Sequence, residues 1–170
     1  MQSDLDKLYE WETQNNMLFN IGKFKWLQLG KNTELKNEYC YMSEHRDFPI
    51  VPSDEVRDLG IIMSQFGDYN AHIDYICKKV RKRIRWILRS FNSREPHFLR
   101  FVWKTYIGPI IDYCGQLYCP TRGVQLQKLE NLLKSYTKKA DGLYNLSYWE
   151  RLEYMKMSSI GKRFERYRIL

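Results

Sequence analysis

The sequence predicts an α+β chain, with a strand-bearing N-terminal part followed by helices to the end. Three observations carry this. Segments with strand character, KFKWLQL at 23–29, YCYM at 39–42 and VRDLGIIM at 56–63, are confined to the first part. After Gly67-Asp68 the apolar residues recur at helical steps of three and four. Finally, the positive charge is gathered into one of those helical stretches. Of 28 Lys/Arg and 20 Asp/Glu, ten bases and a single acid, Glu95, fall between Lys78 and Lys104, leaving eighteen bases and nineteen acids elsewhere. The net charge of +8 is therefore local, and its natural complement is a polyanion.

The first element is a helix over Ser3–Asn16, capped by Ser3 or Asp4, with Leu5, Leu8, Trp11 and Glu12 as its amphipathic stripe. Lys23–Leu29 alternates as a strand, Gly30-Lys31-Asn32 signals a turn, and Tyr39–Met42 is its expected partner. Ser43–Pro52 is polar, contains two prolines and reads as a loop. Val56–Met63 is a third strand, with a tight bend at Gly60.

The basic stretch follows. Ile73, Ile76, Cys77, Val80, Ile84, Ile87, Leu88 and Phe91 fall on one face of a helix that starts near Tyr69–Asn70 and stops before Pro96. Lys78, Lys79, Arg81, Lys82, Arg83, Arg85 and Arg89 occupy the rest of its surface, seven cations in twelve positions with no acid among them. Like charges one turn apart repel, so a sequence that keeps them is expected to have an anion to place there. Trp86 and Trp103 lie near these cations and are either stacking surfaces or packed rings.

Ser93 and Pro96 open the next helix, which carries Phe98, Leu99, Val102, Tyr106, Ile110 and Tyr113 and is kinked or restarted at Pro109. Val124–Ala140 forms another, with Leu126, Leu129, Leu132, Leu133 and Tyr136 inward. Ser147-x-x-Glu150 is a capping box for a last helix through Leu152, Met155 and Ile160, and the basic end GKRFERYRIL is expected to fray.

Much chemistry is excluded. There is no G-x-x-x-x-G-K, G-x-G-x-x-G or G-x-S-x-G, and His45, His72 and His97 are scattered. Cys40, Cys77, Cys114 and Cys119 form no C-x2-C pair and read as reduced thiols of an intracellular protein, cytoplasmic or nuclear. No apolar run reaches the ~18 residues of a membrane span, and the polar, acidic start argues against a secretory signal. No catalytic residue and no metal site is expected in these residues.

The ordered series MQSDLDKLYEW, NNMLFNIGKFKWLQLG, DLGIIMS, WKTYIGPIIDY, QKLENLLKSYT and LSYWERL resembles the C-terminal part of the reverse transcriptase of non-LTR retrotransposons, of the LINE, jockey and CR1 type. The resemblance covers nearly the whole chain. It implies a short, mostly antiparallel palm remnant over residues 1–66 and an all-helical thumb-like bundle over 67–170. It implies that Lys23 approaches the incoming nucleotide's phosphates and that Asp58-Leu59-Gly60 belongs to a primer-grip hairpin. It also implies that the basic helix lies along the RNA/DNA template–primer duplex. In that family the catalytic Asp-Asp pair, which uses magnesium, lies upstream of everything present here, as do the fingers. The resemblance thus implies a fragment of an RNA-directed DNA polymerase, inactive alone, whose partners are the duplex and the missing fingers and palm. A stand-alone nucleic-acid-binding module is the alternative.

Overall fold

The computed structural model describes residues 2–30, 39–41, 48–120 and 123–169. The fold is α+β, and the chain divides after Asp68 into two compact units.

In the N-terminal unit, helix α1 (Gln2–Asn15) leads to a 3-10 turn at Ile21–Lys23. Strand β1 (Tyr39–Tyr41) pairs antiparallel with β2 (Phe48–Ile50), and β3 (Glu55–Asp58) pairs antiparallel with β4 (Ile61–Ser64). Among the described residues the strands make two separate two-stranded sheets rather than one three-stranded sheet. Three expectations are corrected here. Residues 23–29 are not a strand: after the 3-10 turn they run irregularly, touching a sheet-like partner through one bridge, Trp26 to Pro52. The partner of β1 is instead β2, which lies inside the segment read as a loop; Pro49 is tolerated because each sheet is only two strands wide and has edges. Within 56–63 the chain folds back on itself, because Leu59 (φ 44°) and Gly60 (φ 91°) both take left-handed backbone, as a two-residue hairpin turn of type I′ requires.

The core of this unit is aromatic. Tyr41 stacks on Phe24 at 4.7 Å between ring centroids, and Tyr9 and Phe19 meet it edge-on. On α1 Glu12 is buried and Leu5 half-buried, as expected of the stripe, whereas Leu8 and Trp11 are exposed and Tyr9 turns inward in their place. Glu12 is held inside by a specific bond: its carboxylate accepts the Phe19 N–H at 2.8 Å, fixing the chain just past the helix end. The side-chain amide of Gln2 both donates to the Cys40 carbonyl (2.8 Å) and accepts its N–H (3.1 Å), standing in for a neighbouring strand on β1.

The C-terminal unit is helical. It comprises α2 (Asn70–Ser90), α3 (Pro96–Val102), a π turn (Trp103–Ile107), α4 (Gly108–Asp112), α5 (Gly115–Tyr118), α6 (Gly123–Thr137), α7 (Tyr148–Tyr154) and α8 (Ile160–Ile169). Its core joins Ile73, Ile76, Val80 and Ile87 of α2 to Leu99, Leu129, Leu133, Tyr136 and Phe164, all buried. Each such aliphatic side chain contributes about 1.5–3 kcal/mol of burial. Cys77 lies within this core, where burial pushes its thiol up and leaves it inert, and none of the four cysteines, all among the described residues, is in a disulfide.

The π turn explains a register change. Pro109 has no N–H, and its ring crowds the carbonyl four residues back, so the helix widens there; the Gly108 N–H bonds Trp103 O instead. One extra residue enters the turn. The buried positions therefore run Leu99, Val102, Trp103, Ile107, Ile111, whereas Tyr106 and Tyr113, expected inward, face solvent. At α3 the position before the first turn is Glu95, not Ser93, with Pro96 at the helix start as expected.

The capping box forms: Ser147 Oγ accepts the Glu150 N–H and Glu150 accepts the Ser147 N–H at 2.7 Å. Hydrogen bonds to the carboxylate from the Ser147 side chain and backbone N–H hold the Glu150 carboxyl below its ordinary range. The expected single last helix is broken in two at Lys156, whose φ of 48° no helix accommodates. Its second half is α8, helical as far as Ile169. The side chain of Glu130 accepts the Ile160 and Gly161 N–H groups, satisfying the start of α8.

Burial holds the hydroxyls of Tyr118, Tyr136 and Tyr148 above the ordinary phenol range. In the unfolded chain a tyrosine ionises near pH ~10. The folded state keeps the neutral form, so the stability linked to these groups is fully present below that pH and is lost as pH rises beyond it. Thermal melts between pH 8 and 11 should show Tm falling above about pH 10, with a smaller fall for Tyr136→Phe. A Tm independent of alkaline pH would contradict this burial.

Candidate nucleic-acid interface

Helix α2 is the longest element described, and its two sides have opposite chemistry. At 100° per residue, Ile73, Ile76, Cys77, Val80, Ile84, Ile87 and Leu88 cover about a third of the circumference, all packed in or against the core. The other side carries Lys78, Lys79, Arg81, Lys82, Arg83, Arg85 and Arg89, every one exposed. Lys78, Lys82, Arg85 and Arg89 follow steps of four, three and four. They form one axial row about 16 Å long at ~1.5 Å rise per residue. Arg81 flanks the row on one side, and Lys79 and Arg83 on the other.

None of the seven makes an ion pair among the described residues. The acid on this helix, Asp74, lies one turn before Lys78 at the edge of the cationic side, and its carboxylate binds Lys128 of α6 at 2.6 Å. The Arg85 guanidinium touches the Arg81 carbonyl at 3.4 Å, and the Lys79 ammonium stands 6.0 Å from the Tyr75 ring centroid. These contacts neutralise nothing.

Two features fix the rod. Lys128 and Asp74 tie α2 to α6 at the edge of the buried side, reinforced by a hydrogen bond from the Gln125 amide to Asn70. At the far end Arg94 folds back and donates to the carbonyls of Leu88 (2.6 Å) and Phe91 (2.5 Å), satisfying the last turn and placing a cation at the negative end of the helix dipole. Of the two tryptophans, Trp103 is a core residue, 1% exposed and packed against Tyr136. Trp86 is 56% exposed and lies among the cations, between the positions of Lys82 and Lys79.

The other residues singled out lie in the N-terminal unit, on different elements. Lys23 ends the 3-10 turn, is exposed and borders a cavity of about 220 Å3 with Phe19, Asn20 and Phe24. Asp58 ends β3, and Leu59-Gly60 forms the tip of the β3–β4 hairpin, with Leu59 84% exposed. Among the described residues no group of three or more His, Cys, Asp or Glu could hold a metal ion. No helix among them is long and apolar enough to cross a membrane. A second gathering of cations, Lys104, Lys156, Arg163 and Arg166 around one cavity, had no signal in the sequence, because its members come from segments up to 62 positions apart.

Comparison with known proteins gives little to identify this arrangement. No protein family profile matches the chain, and no solved structure does. The chain is similar to uncharacterized protein B0403.1 of Caenorhabditis elegans, 26% identical over 114 residues. That match takes in 65% of this chain and spans 58% of the worm protein, under two thirds of its length.

The charged row has a cost in the free protein. Lys82 faces Lys78, Lys79 and Arg85 at one-turn spacings, each pair repelling by roughly 0.2–0.5 kcal/mol. Lys82→Glu reverses all three, so it should stabilise the free protein by ~1 kcal/mol, read as a rise in Tm at low salt that shrinks at high salt. A fall in Tm would show that Lys82 already has a stabilising partner.

Proposed function

We propose that the chain is a duplex-gripping portion of a retroelement polymerase of the non-LTR reverse-transcriptase type, with α2 laid along the RNA/DNA template–primer duplex. The observation that carries this reading is the α2 surface: seven exposed cations on one rigid helix, unneutralised among the described residues. A rod of this kind contacts phosphates, and phosphate contacts give affinity and orientation with little sequence preference. Exposed Trp86 would add a ring against a sugar or an unstacked base. Supporting the polymerase class are the ordered segments that resemble the family and the hairpin turn at Asp58-Leu59-Gly60, whose exposed tip suits contact with a primer end. In that reading Lys23 approaches a nucleotide phosphate, and the partners are the duplex and the fingers and remaining palm of the polymerase. The reading places the protein inside the cell.

A second reading, a stand-alone nucleic-acid-binding module, is favoured by one observation: the core behind α2 is built wholly from residues after Tyr69. The reading frame upstream of Met1 discriminates. An encoded Tyr-x-Asp-Asp-type hairpin supports the polymerase, and its absence supports the module.

The two readings share the α2 surface, and one titration tests it. If about five phosphates are neutralised, log K for a hybrid duplex should fall with log salt at a slope near −4 to −5. Lys82→Glu should weaken binding and flatten the slope by about one to two units, opposite in sign to its effect on stability. A slope near zero would remove the phosphate-contact claim.

A further inference from the structure

A cavity of about 320 Å3 in the C-terminal unit is lined by Lys104, Lys156, Ser158, Arg163 and Arg166, with no carboxylate in its wall. The cations arrive from three directions: the π turn, the connection between α7 and α8, and α8 itself. Two irregularities of the backbone meet here. Lys104 is the second residue of the π turn. Lys156 holds left-handed backbone, φ 48°, at a sharp reversal where glycine would be unstrained. Stability alone does not select a lysine for that position.

Arg163 is set in advance. Its guanidinium is paired with Asp112 on one side and lies over Gly108, where an added Cβ would come within 3.2 Å of one terminal nitrogen. Asp112 offsets one of the four charges; among the described residues Lys104, Lys156 and Arg166 make no ion pair. The pocket is therefore strongly cationic, concave, and furnished with a hydroxyl at Ser158. Beside it, sharing Lys156, is a second cavity of about 480 Å3 walled by Glu95, Pro96, His97, Arg100, Tyr154 and Met155.

We infer that this pocket binds a phosphate monoester, with the adjoining cavity taking the ring system that carries it. Internal phosphodiesters carry one charge each and are met along an extended surface such as α2. A monoester carries ~1.5–2 negative charges on three free oxygens, which suits a concavity lined by four cations, three of them in no ion pair among the described residues. The shared chemistry, a nucleotide-borne phosphate, can come from the 5′ end of a strand or from a free mononucleotide. The inference stands on the pocket and does not depend on duplex binding by α2.

The test uses the whole chain and fluorescence anisotropy with two single-stranded oligonucleotides, identical but for a 5′-phosphate or a 5′-hydroxyl. The 5′-phosphate strand is expected to bind about tenfold more tightly. Lys156→Gly should abolish that difference while raising Tm, since it removes a cation and relieves backbone strain together; Arg166→Ala should abolish it without changing Tm. Lys82→Glu should weaken both strands equally and keep the ratio, which separates this site from the α2 surface. Competition by adenosine monophosphate at comparable concentrations would assign the pocket to mononucleotides, and competition only by phosphorylated strands would assign it to strand ends. Equal affinity for the two oligonucleotides, with no displacement by adenosine monophosphate or inorganic phosphate, would overturn the inference, as would a ratio unchanged by Lys156→Gly.

Discussion

The buried side of α2 is the constraint on which the functional surface depends. Ile73, Ile76, Val80 and Ile87 are pinned against Leu129, Leu133 and Tyr136, and Lys128–Asp74 fixes the same junction from its edge. A helix with seven unneutralised cations on its other side would fray on its own, because each added charge repels its neighbours one turn away. Packing supplies what the charged face lacks. The arrangement concentrates positive potential on an element that cannot fold back to find its own counter-ions, so an external polyanion meets it already ordered.

The same principle, irregular backbone held in place by tight packing, recurs around the cationic pocket. Pro109 forces the π turn, and the turn moves the buried register from Tyr106 to Ile107, leaving Tyr106 in solvent; Lys104, in the same turn, borders the cavity. Lys156 keeps a left-handed conformation between two helices whose ends are otherwise well satisfied, α7 by its capping box and α8 by Glu130. Arg151, 4% exposed, shows the structural use of a buried cation by contrast. It donates to Thr137 Oγ1 and to the Leu146 and Lys134 carbonyls, closing the end of α6 with no surface left for a ligand.

The helical half was more legible in the sequence than the strand half, for physical reasons. The period of α2 spans five turns, so a chance match is improbable and both faces were read residue by residue. The capping box at Ser147 depends on residues three apart and needs no tertiary information. The strands of the N-terminal unit are three or four residues long, too short for alternation to show, and their pairing is set by aromatic contacts to Tyr41 and by the Gln2 amide on Cys40. Glu12 was read as part of an amphipathic stripe, yet what buries it is a bond to Phe19 that no periodicity encodes. The basic pocket was illegible because it is assembled from distant segments by a π turn and a left-handed lysine, neither of which carries a local pattern.

The most direct measurement of the central claim is lysine reactivity toward an acylating reagent, read by mass spectrometry, with and without an RNA–DNA hybrid duplex. The account predicts that Lys78, Lys79 and Lys82 lose most of their reactivity when duplex is present, while Lys7, exposed on α1, does not. Undiminished labelling of those three lysines at saturating duplex would contradict it.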